Sequence, residues 1–128
     1  MAARDWAGPW QQVPAGKPAL ARDWAAGLLG YAPEGTARPE LQLHLRRDLE
    51  TLHDALLAEP PDAAAAVLLG AALVHRGLTD PTAVAVTVTL LGDRLLAELG
   101  LDEVTFHRPL HVLLGGIAAG YAEALAGK

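Results

Sequence analysis

The chain has 128 residues, a formal net charge of −5 and a composition rich in Ala and Leu but poor in aromatic residues, which is typical of a one-domain helical bundle. The absence of cysteine excludes disulfides and thiolate metal sites and favours a cytoplasmic location. The acidic balance, with no basic cluster beyond Arg46-Arg47, argues against a nucleic acid as partner.

Proline and glycine mark the first boundaries in the chain. Residues 1–17 contain two prolines and two glycines and are predicted to form an irregular N-terminal arm. Residues 18–128 are predicted to form one all-α domain, a compact bundle of about five helices. The first helix is expected from Pro18, a favourable residue in a first turn, to about Gly30.

Two further helices are predicted in the middle of the chain. Leucines recur at helical spacing over residues 39–58, and Pro60 follows this pattern. Asp62 is predicted to open a helix that continues through His75. Its residues 63–74 are apolar on all sides, which indicates a helix in the centre of the bundle. The uncharged run over residues 63–74 is shorter than the roughly 20 residues that cross a bilayer, so we expect no membrane insertion.

The fourth helix is predicted to begin at Asp80 and Pro81, which combine a capping side chain with a first-turn proline. Residues 84–90 alternate like a strand, but the cap and the length of the segment favour a helix, which ends at Gly100.

The last helix, over residues 110–125, has the strongest pattern in the chain. Pro109 is predicted either to start it or to kink a helix that begins near Asp102. Beside an apolar stripe lies a face almost without side chains. An interior glycine costs a helix about 0.5–1 kcal/mol relative to alanine, so the three on this face indicate close packing. The face consists of Gly115, Gly116, Ala119 and Gly120.

Histidines are the only residues in the chain that suggest a cofactor. His107 and His111 would share one helical face, as two-histidine metal sites require, if the helix already runs before Pro109. Haem needs one or two axial histidines and an apolar slot, which a glycine-faced helix could admit. The candidate haem site consists of His111 as the iron ligand with His75, Gly115, Gly116 and Ala119. The alternative is that the histidines are surface residues and that the glycines serve helix packing or dimerisation.

Catalytic motifs are absent from the sequence. The chain has no serine, and the carboxylates of the second helix alternate with Arg46 and Arg47 as solvated charges. We therefore expect that the domain is not an enzyme.

Several segments occur in a distinctive order over residues 18–125. They are Trp24-Ala25, Tyr31-Ala-Pro33, Gly70-Ala-Ala-Leu-Val74, Leu78-Thr-Asp-Pro81, Leu90-Leu-Gly-Asp-Arg-Leu95 and Leu113-Leu-Gly-Gly-Ile-Ala-Ala-Gly-Tyr-Ala-Glu-Ala-Leu125. This order resembles the N-terminal region of actinobacterial cyclic-di-GMP turnover proteins. In those proteins a helical segment precedes a PAS domain, a GGDEF diguanylate cyclase domain and an EAL phosphodiesterase domain.

The resemblance implies a sensory or regulatory domain over residues 18–128 that has no turnover of its own. It also implies a homodimer whose last helix is an output helix to the PAS, GGDEF and EAL domains. Two hypotheses follow. In the first, a small ligand, with haem as the leading candidate, binds beside the output helix. In the second, the domain is a ligand-free dimerisation or protein-docking module whose glycine face meets another helix.

Overall fold

The computed structural model describes residues 16–128, which form an all-helical bundle. The predicted all-α fold of about five helices is confirmed. Most of the predicted N-terminal arm lies outside the described residues, and Gly16 and Lys17 already belong to the first helix. The five α-helices are α1 (Gly16–Leu28), α2 (Arg38–Leu57), α3 (Ala63–His75), α4 (Pro81–Leu99) and α5 (Glu103–Ala126), with a short 3-10 helix (Leu29–Tyr31) after α1.

Aspartate side chains cap the last three helices. Asp62, Asp80 and Asp102 each accept a hydrogen bond from a first-turn backbone N–H, at 3.1, 2.9 and 2.8 Å respectively. Such caps satisfy N–H groups that have no partner inside the helix. Because Asp102 caps α5, the helix begins at Glu103 and Pro109 lies inside it. Of the two predicted alternatives for Pro109, the early start is therefore the one observed.

The most extensive helix pair is α3 with α5. These two helices run parallel, since Ala66, Val67 and Gly70 follow one another beside residues 116–121 in the same order. Helix α1 runs antiparallel to α4, because Gly16 meets Glu98 near one end and Trp24 meets Thr87 further along. Helix α2 packs against α1, α3 and α5.

Leucines and one tryptophan fill the centre of the bundle. Trp24 is fully buried. The leucines that form the predicted stripe of α2 are buried as well, namely Leu41, Leu45, Leu49, Leu52 and Leu56. The prediction that α3 lies in the centre is wrong. Leu68 of α3 is 71% exposed, and Ala64 is exposed one turn before it. The reason is that α5 packs on one side of α3 and other helices of the bundle pack on another side. The third side of this apolar helix is exposed to solvent.

Arg94 joins α1 to α4. Its guanidinium donates to Asp23 Oδ2 and to Glu98 Oε2, each at 2.6 Å, and Glu98 Oε1 accepts the N–H of Gly16 at 3.1 Å. The hydrogen bond from Arg94 lowers the pKa of Asp23 below its usual value of about 3.8. The stabilisation from this contact is therefore present above that pH and lost as the pH falls through the lowered pKa.

We expect Arg94→Met to reduce the free energy of unfolding modestly at pH 7, because the ion pairs are partly exposed and screened by solvent. The difference from the native chain should shrink as the pH falls below about 3.8 and then through the lowered pKa of Asp23. Urea unfolding at pH 7 and at low pH measures both effects. Arg47→Met, at an exposed position on α2, is the control. A difference that stays constant with pH would contradict this account of Asp23.

Candidate functional site: the α3–α5 helix pair

Two glycines bring the backbones of α3 and α5 into direct contact. A Cβ atom on Gly70 would overlap the carbonyl oxygen of Ile117 and lie 2.8 Å from the amide nitrogen of Tyr121. A Cβ atom on Gly120 would overlap the carbonyl oxygen of Val67. Backbone atoms cannot move aside as a flexible side chain can. The two helices therefore fit together only without side chains at these positions.

The other residues of the predicted bare face divide into two groups. Gly116 also packs under α3, where a Cβ atom would lie 2.9 Å from Cβ of Ala66. Gly115, in contrast, has no heavy atom within 4 Å of an added Cβ, and Ala119 is exposed. The predicted close packing is therefore present at Gly116 and Gly120, with α3 as the partner helix. Sequence reasoning did not single out Gly70, although a glycine inside an alanine-rich helix was the available signal.

Tyr121 connects α5 to the loop that follows α3. Its side chain is 2% exposed, and its hydroxyl donates to the carbonyl oxygen of Leu78 at 2.7 Å. Burial raises the pKa of the Tyr121 phenol above its usual 10.0, and the negative charge of Asp80 adds to the effect. Arg76, in the same turn after α3, donates to both carboxylate oxygens of Asp48 on α2.

We expect Tyr121→Phe to lower the free energy of unfolding by about 1 kcal/mol at pH 7, the typical value of one hydrogen bond. The unfolded chain releases this phenolic proton before the folded chain does, so native stability falls as the pH rises above about 10.0. The difference between native chain and variant should therefore narrow there. Urea unfolding from pH 8 upwards measures it, and a difference that does not change with pH would contradict a buried phenol.

The two predicted haem ligands lie far apart. Gly70 is level with residues 117–121, so His75 lies about 20 Å along the helix pair from His111, at a rise of roughly 1.5 Å per residue. Both imidazoles are exposed.

A surface cavity of about 330 Å³ lies elsewhere on the bundle. It is lined by another histidine, His44, together with Arg76.

The predicted haem site does not form a slot in the described part of the chain. The space beside Gly116 is occupied by α3, while Gly115 and Ala119 lie on the exposed side of α5. These five residues, His111, His75, Gly115, Gly116 and Ala119, are therefore not brought together around one volume. Haem binding stays a prediction from the sequence.

The open side of the helix pair forms one uncharged surface. Successive residues of a helix are about 100° apart. By this spacing, the exposed residues of α3 and α5 beside the helix–helix contact lie on one side of the pair. Leu68 is 71% exposed and Val112 is 44% exposed. We call this surface the α3–α5 face; it consists of the half-buried Ala71 and the exposed residues Ala64, Leu68, Val112, Gly115 and Ala119.

Helix α5 is unusually apolar for so exposed an element. Among the described residues it is the one helix that is long and apolar enough to cross a membrane, by length and composition alone. Only 28% of its most apolar window is buried inside the bundle. Its apolar composition therefore exceeds what packing within residues 16–128 uses.

Comparisons of the chain with protein-family models, with curated proteins and with solved structures found no match. The resemblance to cyclic-di-GMP turnover proteins accordingly stays a prediction.

Proposed function

We propose that this chain is a regulatory domain that forms a homodimer through the α3–α5 face. The observation that carries the proposal is the exposure of Leu68 on a surface without charged side chains. An apolar side chain exposed to this extent gains roughly 1.5–3 kcal/mol when it is fully buried. Contiguous apolar patches on soluble domains commonly mark interaction sites.

Charges at the edges of the face support a second copy as the occupant. Arg108 and Glu123 lie on the same exposed side of α5, near opposite ends of its uncharged stretch. Neither forms an ion pair within residues 16–128. In a two-fold arrangement with antiparallel α5 helices, Arg108 of each copy meets Glu123 of the other. The face is therefore complementary to itself in charge.

We propose further that the domain controls the PAS, GGDEF and EAL domains of a cyclic-di-GMP signalling protein through α5, in the cytoplasm and without catalysis of its own. The contacts of Gly70 and Gly120 support a role for α5 as an output helix. The backbones of the two helices are in direct contact there. A displacement of α3 therefore moves α5 directly, because no flexible side chain lies between them. A partner shifts the position of α5 only if it binds one arrangement of the bundle better than another.

The mass of the chain in solution tests the homodimer. We expect the native chain to sediment as a dimer and Leu68→Glu to sediment as a monomer with unchanged helix content. Leu57→Glu, at a leucine of α2 that is 51% exposed, is the matched control and should remain dimeric. A native monomer, or equal effects of the two variants, would contradict the proposal.

Charge exchange tests the arrangement of the two copies. Arg108→Glu and Glu123→Arg should each weaken the dimer, because like charges then meet across the interface. The double variant should restore the affinity, since the pairing is only inverted. Failure of the double variant to recover would exclude the antiparallel pairing. Binding of the native monomer to lipid vesicles, abolished by Leu68→Glu, would instead assign the face to a membrane.

The link to cyclic-di-GMP has a separate test. We expect the coding sequence after Lys128 to continue into PAS, GGDEF or EAL domains. In that longer protein, Leu68→Glu should change the rate of cyclic-di-GMP synthesis or hydrolysis, whereas Leu57→Glu should not. Unchanged rates in both variants would contradict an output through α5.

Haem binding is tested by an absorption spectrum of the purified chain, before and after addition of haem and with dithionite. A Soret band that shifts on reduction and is lost in His111→Ala or His75→Ala would establish the sensor hypothesis. A flat spectrum without saturable haem binding would leave the docking function.

A further inference from the structure

His107 and His111 form a pair of imidazoles on one exposed side of α5. The helix runs without interruption from Glu103 through Pro109, so the two residues occupy successive turns. Their ring centres lie 4.4 Å apart, and the ring planes are inclined at 69° in an edge-to-face arrangement. Both side chains are exposed. The sequence left open whether Pro109 would separate them, and the continuous helix places them together.

The separation of the rings matches the geometry of a shared metal ion. A metal–nitrogen bond of about 2.0–2.1 Å places an imidazole ring centre about 3.1–3.2 Å from the ion. Two imidazoles bound at a right angle then have ring centres about 4.5 Å apart, and a tetrahedral angle gives about 5.2 Å. The observed 4.4 Å is close to the right-angled value. Rotation about χ2, a broad torsion in histidine, changes the direction in which the ring nitrogens point.

The surroundings of the pair favour a metal site completed by water over one formed by protein ligands alone. No group of three or more His, Cys, Asp or Glu side chains able to hold an ion together exists within residues 16–128. Two protein ligands therefore leave the other positions to water. Glu103, one turn before His107, adds a negative charge at that end of the helix. Right-angled nitrogen coordination is characteristic of Ni²⁺ and Cu²⁺.

We propose that His107 and His111 bind one late first-row divalent cation, of the Ni²⁺ or Cu²⁺ type, with water completing its coordination. Both residues lie on the side of α5 that faces away from α3. Gly115 of the α3–α5 face follows His111 by one turn, so the site borders that face. Both ligands come from one chain, and the site does not require the proposed dimer.

Titration calorimetry with Ni²⁺ on the untagged chain tests the site. We expect one ion per chain and at least a tenfold loss of affinity in His107→Ala and in His111→Ala. Both positions are exposed and alanine is the best helix former, so these variants should fold, as circular dichroism will verify. His75→Ala, which removes an exposed histidine at the end of α3, is the matched control and should bind Ni²⁺ with native affinity.

A second variant keeps the number of histidines and changes only their spacing. His111→Ala combined with Val112→His places the second imidazole about 140° around α5 from His107, at roughly 100° per residue. This double variant should bind Ni²⁺ as weakly as His111→Ala alone. Native affinity in the double variant, or equal losses in His75→Ala and His107→Ala, would overturn the proposal.

Discussion

Gly120→Ala is expected to lower the free energy of unfolding by about 1–3 kcal/mol, the usual range for overpacking a core. Alanine is a better helix former than glycine by up to about 1 kcal/mol, so propensity alone predicts the opposite sign. The steric effect should win because the new Cβ would overlap the carbonyl oxygen of Val67 in the backbone of α3. Urea unfolding of the purified chain measures the change.

Gly115→Ala is the matched control for this prediction. It makes the same substitution in the same helix, but nothing lies within 4 Å of the added Cβ. We expect it to stabilise the chain by about 0.5–1 kcal/mol through helix propensity. Equal effects of the two substitutions would show that α3 does not press against Gly120. Gly70→Ala should behave like Gly120→Ala, since its Cβ would overlap the carbonyl oxygen of Ile117.

The second large effect is expected at Thr87. This side chain is fully buried, accepts a hydrogen bond from Trp24 Nε1 at 3.0 Å and donates to the carbonyl oxygen of Ala83 at 2.9 Å. Thr87→Val keeps the shape of the side chain but leaves the indole N–H without its partner in the core. An unsatisfied buried donor costs about 1–3 kcal/mol. We expect a loss of stability of that size in urea unfolding.

A double-mutant cycle separates this hydrogen bond from packing. In the Trp24→Phe background the indole N–H is gone, so Thr87→Val should cost much less than it does in the native chain. Thr89→Val, at an exposed position on the same helix, is the control and should be nearly neutral. If Thr87→Val cost the same in both backgrounds, the bond to Trp24 would not be the source of the effect.

The geometry also decides which variants test docking cleanly. Gly116 belongs to the predicted bare face of α5, but Gly116→Leu is not a clean test of ligand binding or dimer formation. In the structure, a side chain at Gly116 would press on Ala66 and on the carbonyl oxygen of Ala63, so this variant tests the packing of α3 instead. Leu68 extends into solvent and can be changed without that disturbance.

Helix periodicity and capping predicted the elements of this fold. Asp62, Asp80 and Gly100 mark helix ends where local chemistry places them. The leucines of α2 that recur at helical spacing lie in the core, namely Leu41, Leu45, Leu49, Leu52 and Leu56. Gly100 has a φ of 70°, a left-handed conformation that suits glycine. These features are encoded within a few residues of one another, which is why the sequence reveals them.

Features that depend on which helix meets which were not predictable from the same patterns. Periodicity identifies the apolar sides of α3 and α5, but it does not say which side another helix covers. Gly70 and Gly120 meet the backbone of the opposite helix, and that register appears only in three dimensions. The distance between His75 and His111 likewise depends on the parallel direction of the two helices.

The parallel pairing of α3 and α5 also has a consequence for synthesis of the chain. The residues that cover Gly70 lie more than forty positions later in the sequence, beyond the whole of α4. Helix α3 has no charged side chain between Ala63 and Val74. During translation it stays uncovered until the residues of α5 have been synthesised. A chain whose synthesis ended before residue 116 would leave this helix uncovered. Exposed apolar segments of this kind promote aggregation.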